Sequence, residues 1–241
     1  MASLTGRRAL VTGGAGGLGS VAVRTLLELG VEDVLVVGRT LSKLEAFKRR
    51  TGERVSIEPM DVTDAGAWER VRERRIDIVI PAAGVSHREP FLESTVEHWQ
   101  DMVSTNLLGT MLAAKAVLPG MVERRWGRII LISSVAARIG LPGRAVYSAT
   151  KAALEAWART LAAELGGSGV LINCVAPGMF PTELTTAWLA ANPDTAKAIE
   201  AAIPERRFGD PEELAGAYRF LLEGTYVQGS VVRIDGGWGA V

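Results

Sequence analysis

Residues 8–19 read RALVTGGAGGLG, a short strand-like run that passes through a cluster of glycines straight into the helical apolar spacing of residues 18–29. A strand that turns on glycines into a helix is the context a dinucleotide site requires. Glycine permits the tight turn and lets backbone approach a pyrophosphate closely, and the free N–H groups at the positive helix end attract phosphate. The residues placed against the phosphates are therefore Gly13, Gly14, Gly17, Leu18 and Gly19. Their spacing, T-G-x-x-x-G-x-G, differs from the common G-x-G-x-x-G fingerprint.

Outward from this turn, short apolar runs alternate with longer helical patterns, the signature of repeated βαβ units around a parallel sheet. Strands are expected at 8–12, 34–37, 56–61, 76–82, 128–132, 171–175 and 231–235, and helices at 18–29, 42–50, 68–74, 96–122, 147–165 and 211–222. The strands lack strict alternation, so both sheet faces should be covered. The fold class is α/β: one Rossmann domain over residues 1–241, with a doubly wound, seven-stranded parallel sheet. Residues 178–210 interrupt the pattern with three prolines and apolar clusters around Trp188 and Ile199, and read as a substrate-binding excursion.

The 241 residues are 48% hydrophobic and 22% charged, and 27 basic residues balance 27 acidic ones. That balance asks for neither a nucleic acid nor an anionic membrane. The run 107–122 is interrupted by Lys115, Pro119 and Gly120, short of a membrane span. The opening MASLTGRRALVTG holds no apolar signal core, and Cys174 is the single cysteine, so a cytoplasmic address is expected. No metal is expected.

The end of the second strand chooses the cofactor in dinucleotide folds, because an acid there binds the ribose 2′-hydroxyl and an arginine accommodates a 2′-phosphate. Here the stretch is VLVVGRT, with Gly38 where the acid would stand, followed by Arg39 and Thr40. NADP(H) is favoured, with NAD(H) possible. Asp61, read as ending the third strand in MDVTD, could accept from the adenine amino group while Val62 packs on the ring.

Tyr147 and Lys151 form Y-x-x-x-K on the helix 147–165, which puts both side chains on one face. A neighbouring ammonium favours the phenolate and pulls a tyrosine pKa down from about 10 toward neutrality. The fifth strand runs out into ISS and delivers Ser134 at the carboxyl edge of the sheet, where ligands bind in open α/β sheets. Asn106 falls inside a long helix, where an inward polar side chain needs a partner.

Taken together, T-G-x-x-x-G-x-G, D-V, A-A-G, N-L-x-G, I-S-S, Y-S-A-T-K, P-G and a terminal D-G-G occur in order. The chain resembles the short-chain dehydrogenases/reductases over essentially its full length, with leanings toward 3-oxoacyl reductases and gluconate 5-dehydrogenases. The resemblance implies a hydride transfer between NADP(H) and a ketone or secondary alcohol. Tyr147 would be the general acid/base, Lys151 would tune it and bind the nicotinamide ribose, and Ser134 would hold the substrate oxygen. Asn106 would position a water linking Lys151 to solvent. Ala82, Ala83 and Gly84 would flank the cofactor, Pro177 and Gly178 would line the nicotinamide, and Thr182 would contact its carboxamide. A homotetramer or homodimer is also implied, the small-molecule substrate being the other partner. A catalytically silent dinucleotide sensor is the alternative, disfavoured by the complete set Asn106, Ser134, Tyr147 and Lys151.

One departure from the family pattern is Pro81, where a side-chain amide usually steadies the sheet, so a local rearrangement is expected there. Cys174 reads as a buried small hydrophobe. His87 and Arg88 read as a solvated loop pair, with a substrate carboxylate as the alternative partner of Arg88, and His98 reads as surface helix.

Overall fold

The computed structural model describes residues 4–183 and 185–240. Seven strands form one sheet: β1 (Arg8–Thr12), β2 (Asp33–Gly38), β3 (Val55–Pro59), β4 (Ile78–Pro81), β5 (Gly127–Ile132), β6 (Val170–Pro177) and β7 (Val231–Ile234). Their spatial order is β3-β2-β1-β4-β5-β6-β7 and every pairing is parallel. The order reverses between β1 and β4, and the crevice at such a reversal is where doubly wound sheets bind ligands.

Strand side chains alternate between the two faces. On β1, Ala9 and Val11 enter one core layer and Leu10 the other. The first layer is covered by α1 (Gly17–Glu28) and α9 (Leu214–Glu223), which contribute Val21, Leu26, Leu214, Tyr218 and Leu221. The second is covered by α3 (Glu69–Arg72), α5 (Gly109–Glu123) and α6 (Ala145–Glu164), with Trp68, Val117, Met121 and Leu154 packed inside. Both faces of the sheet are thus dry, which is why its strands read as continuous apolar runs. The α2 helix (Leu41–Thr51) packs Leu44 and Phe47 at the β2–β3 edge.

Several boundaries differ from the sequence reading. The long helix over 96–122 is a rod of three parts: α4 (Val96–Met102), a π-helical turn (Val103–Leu108) and α5. Its apolar composition reflects its place in the core layer, half of its most apolar 18-residue window being buried in the molecule. The strand expected at 56–61 ends at Pro59, because Asp61 turns its side chain onto its own loop: Oδ1 accepts from the Thr63 N–H and hydroxyl at 2.9 and 2.8 Å. The helix at 211–222 opens with a 3₁₀ turn, Pro211–Glu213, and that at 68–74 contracts to the four residues of α3. The excursion carries two short helices, α7 (Thr186–Ala191) and α8 (Pro193–Ala202), neither with a buried residue. Pro193 starts α8, a first-turn position at which its missing N–H costs nothing.

Pro81 limits the pairing of β4 on one side only. The β4–β5 ladder comprises only Ile78↔Arg128 and Val79↔Ile129, since Pro81 has no N–H to extend it. The following amides turn instead to β1: Ala82 N–H donates to the Thr12 carbonyl at 3.1 Å and Ala83 N–H to Thr12 Oγ1 at 3.0 Å.

Candidate active site

The carboxyl ends of β1, β4, β5 and β6 open onto one cleft of about 920 Å³. Its walls hold Gly13, Arg39, Asp61, Ser134, Tyr147 and Lys151 together with Gly178 and Thr182, so residues scattered over the chain meet at one sheet edge.

At one end is the glycine turn. Gly13 has φ +64°, and a Cβ there would lie 2.8 Å from the Ala83 nitrogen. A Cβ on Gly19 would lie 2.4 Å from the Gly13 carbonyl oxygen, so the turn closes only with glycine at both places. No side chain caps the start of α1. Its first-turn N–H groups therefore have no partner within the helix and face the cleft. Arg39, exposed on the cleft wall, makes neither a hydrogen bond nor an ion pair among the described residues. An uncapped helix start with a free guanidinium nearby fits the pyrophosphate and 2′-phosphate of NADP(H).

At the other end, Tyr147 and Lys151 lie one turn apart on α6, with Lys151 Nζ 5.6 Å from the centroid of the Tyr147 ring. Lys151 is buried and donates from Nζ to the Ile132 carbonyl at 2.8 Å. Burial holds its pKa below the ordinary lysine value, against the opposing pull of Tyr147. Ser134, two residues beyond the end of β5, is also buried, its Oγ accepting from Ala136 N–H at 3.2 Å, which leaves the hydroxyl proton free to donate. The adjacent Ser133 is committed elsewhere, donating to Glu155 Oε1 at 2.7 Å.

Asn106 lies in the π turn and is fully buried. Its Oδ1 accepts from Val85 N–H at 2.8 Å and its Nδ2 donates to the Val85 carbonyl at 2.9 Å. Nδ2 also approaches Thr150 Oγ1 at 3.4 Å. The side chain thus pins the segment after β4 to the rod and to α6, bringing Gly84 beside Asn106 Oδ1 and Lys151 Nζ. At the β6 end Gly178 packs on Asp235 so closely that a Cβ would lie 2.7 Å from its Cα. Thr182 lies against the glycine turn, since a Cβ on Gly17 would touch its Cβ at 2.9 Å. Val62 lines the same cleft, as does Thr40 beside Arg39.

Comparison with known proteins follows this geometry closely. A family model described as enoyl-(acyl carrier protein) reductase matches residues 13–239. A crystal structure of an oxidoreductase of the short-chain dehydrogenase/reductase family from Burkholderia thailandensis superimposes with TM-score 0.91 at 33% identity, covering 98% of this chain and 94% of that one. The chain belongs to the short-chain dehydrogenase/reductase family. A Synechocystis 3-oxoacyl-[acyl-carrier-protein] reductase is 34% identical over 98% of both chains. A gluconate 5-dehydrogenase from Burkholderia cenocepacia, solved in complex with NADP and tartrate, has TM-score 0.91 and 31% identity, with 99% of this chain and 97% of that one covered.

Beyond the motifs of the short-chain dehydrogenases/reductases, the cleft holds residues to which the sequence reading gave another role or none. Arg88 is not a solvated loop charge: it is half-buried, its guanidinium lies 3.7 Å over the Trp188 ring, and desolvation with the nearby charge of Arg144 pushes its pKa down to about 10. Arg144, given no role from sequence, lies 4.3 Å over the Tyr147 ring and donates to Ser86 Oγ. His87 and His98 stack at 4.0 Å, each bonded to a carboxylate, Asp101 and Glu89 respectively. Lys43 lines the cleft one helical turn after Arg39 and donates to Glu183 at 3.1 Å. A basic residue at that spacing, in the first turn of α2, was the signal that could have found it. Cys174 is buried and burial pushes its thiol up to about 12, the behaviour of an inert hydrophobe.

Proposed function

We propose that this protein interconverts a ketone and a secondary alcohol at the expense of NADP(H), with Tyr147 as the proton-transferring group. The observation that carries the reading is the pairing of Tyr147 with the buried Lys151 on α6, in the cleft entered from the other side by the uncapped start of α1. Hydride and proton balance as ketone plus NADPH plus H⁺ giving alcohol plus NADP⁺. When bound, the cofactor supplies or accepts the hydride, and the protein supplies orientation and acid/base groups.

Ser134 donates its free hydroxyl proton to the substrate oxygen, and Tyr147 delivers or removes the proton at that same oxygen. Lys151, fixed by the Ile132 carbonyl, would set its ammonium beside the phenol to favour the phenolate and would hold the nicotinamide ribose. Asn106 holds Val85 and Gly84 in place beside Lys151, and proton exchange with solvent follows this side of the cleft. Arg39 carries the preference for the 2′-phosphate, with Lys43 available beside it. NADP in solved relatives supports that preference.

Two substrate classes have support from relatives: 3-oxoacyl thioesters, from the relatives named 3-oxoacyl-[acyl-carrier-protein] reductase, and sugar acids, from the gluconate dehydrogenases. A silent sensor would have no use for the full set of Asn106, Ser134, Tyr147 and Lys151. Replacing Tyr147→Phe is expected to lower turnover of ketones by about 10²–10⁴-fold while the NADPH dissociation constant stays within about twofold by fluorescence titration. Unchanged turnover would refute the assignment.

A further inference from the structure

Two guanidinium groups share the cleft with Tyr147, Arg144 over its ring and Arg88 on the same wall, and among the described residues neither has an acidic partner. Arg88 makes no hydrogen bond or ion pair among the described residues, its one recorded contact being the face of Trp188. Arg144 bonds Ser86 through one terminal nitrogen, while its Nε is buried and without a partner. Leaving a buried charged donor unpaired is costly, and native structures rarely tolerate it unless a ligand completes the site. The one other such nitrogen among the described residues, Arg128 Nε, lies away from the cleft, where Arg128 meets Trp126 and the Gly127 carbonyl.

The acids of the cleft are already committed. Glu89 is bonded to His98, Glu183 to Lys43 and Asp61 to Thr63. Among the described residues no carboxylate therefore pairs with Arg88 or Arg144. The Arg88 guanidinium carbon lies 3.7 Å over the Trp188 ring, and its N–H donors, which carry no hydrogen bond among the described residues, are available to a carboxylate, which a guanidinium matches bidentately.

We propose that Arg88 and Arg144 form a carboxylate-binding subsite beside Tyr147, so that the substrate is a keto or hydroxy acid anion. This rests on the oxidoreductase reading and narrows it: a neutral 3-oxoacyl thioester offers the pair no charge to bind, whereas a carboxylate near the reacting carbon satisfies both groups at once. Trp188 belongs to the subsite as the surface that holds Arg88 in place, which gives the 178–210 excursion its part in selectivity.

The test is calorimetric titration of the NADPH-saturated protein with tartrate and with its uncharged dimethyl ester. Tartrate is expected to bind at least about tenfold more tightly than the ester, and Arg88→Gln and Arg144→Gln are each expected to weaken tartrate by about tenfold or more, the size expected for a lost charge-assisted contact. Arg144→Lys, which keeps the charge, should recover part of the loss and guards against a folding defect in the glutamine variant. Equal affinity for tartrate and ester in the parent, or an unchanged ratio in both glutamine variants, overturns the subsite. Because no turnover enters this measurement, it stands apart from the Tyr147→Phe experiment, whose failure would overturn the chemistry and leave the subsite standing.

Discussion

Substituting Asn106→Ala tests the architecture behind the site. Asn106 is fully buried, and its amide closes a two-way bond with Val85, Oδ1 accepting at 2.8 Å and Nδ2 donating at 2.9 Å, with Thr150 as a weaker third partner at 3.4 Å. Alanine removes all three and leaves a backbone N–H and C=O without partners. Val85 is half-buried, so water recovers part of the loss, and each group is taken at the low end of the range for an unsatisfied buried polar group, about 1 kcal/mol. The vacated volume adds about 1 kcal/mol more. The sum is roughly 2–4 kcal/mol, a large share of the roughly 5–15 kcal/mol that holds a domain folded. Urea denaturation followed by tryptophan fluorescence at fixed protein concentration reads it as a lower midpoint at unchanged slope. Freed from its anchor, the segment 84–88 should also loosen, and the NADPH dissociation constant should rise. A stability change below about 0.5 kcal/mol with unchanged cofactor affinity would show that the π turn does not secure this wall of the cleft.

Other expectations are simpler to state. Burial holds the Lys151 pKa below its unfolded value, so the unfolded chain binds the proton more tightly and stability rises with pH until the unfolded lysine titrates near about 10.4. At neutral pH the buried charge is a cost, and Lys151→Met should raise the urea midpoint, on the order of 1 kcal/mol, while abolishing turnover; a lower midpoint would contradict this. Arg39→Ala should reduce the preference for NADPH over NADH about 10–100-fold, as expected for one or two charge-assisted contacts, and equal dissociation constants in the parent protein would remove the basis for the prediction. The Cys174 thiol, pushed up to about 12 chiefly by burial, should resist alkylation at pH 8 in the folded protein and react on unfolding; rapid labelling of the native state would refute the burial argument.

Much of this was legible in the chain before any coordinates. Gly13 and Gly19 could be read because only glycine closes such a turn, Gly17 from its place in the same pattern, and Tyr147 with Lys151 because helical spacing alone puts them on one face. The seven strands were legible as apolar runs, since both faces of the sheet are dry. The π turn at Val103–Leu108 was not, because a shift of backbone hydrogen-bond partner leaves no mark on side-chain spacing. Asp61 was misplaced onto a strand because its own side chain, bonding to Thr63, ends the extended run early. Arg88 was read first as solvated, with a substrate carboxylate only as the alternative, and Arg144 was missed, for a different reason. An arginine in a loop looks solvated until the residues that enclose it are known, and those come from distant stretches of sequence, Trp188 for one and Ser86 for the other.

The two short helices of the excursion contribute no buried residue, whereas Ser134 and Lys151 are held by the sheet and the helix packed upon it. If the proposed roles hold, chemistry and choice of substrate are inherited separately in this molecule. Mutations can accumulate in α7 and α8 without endangering the fold, and each one that moves Trp188 re-aims Arg88. A lineage built this way can exchange one metabolite for another by drift on its rim, while the machinery beneath stays as it was.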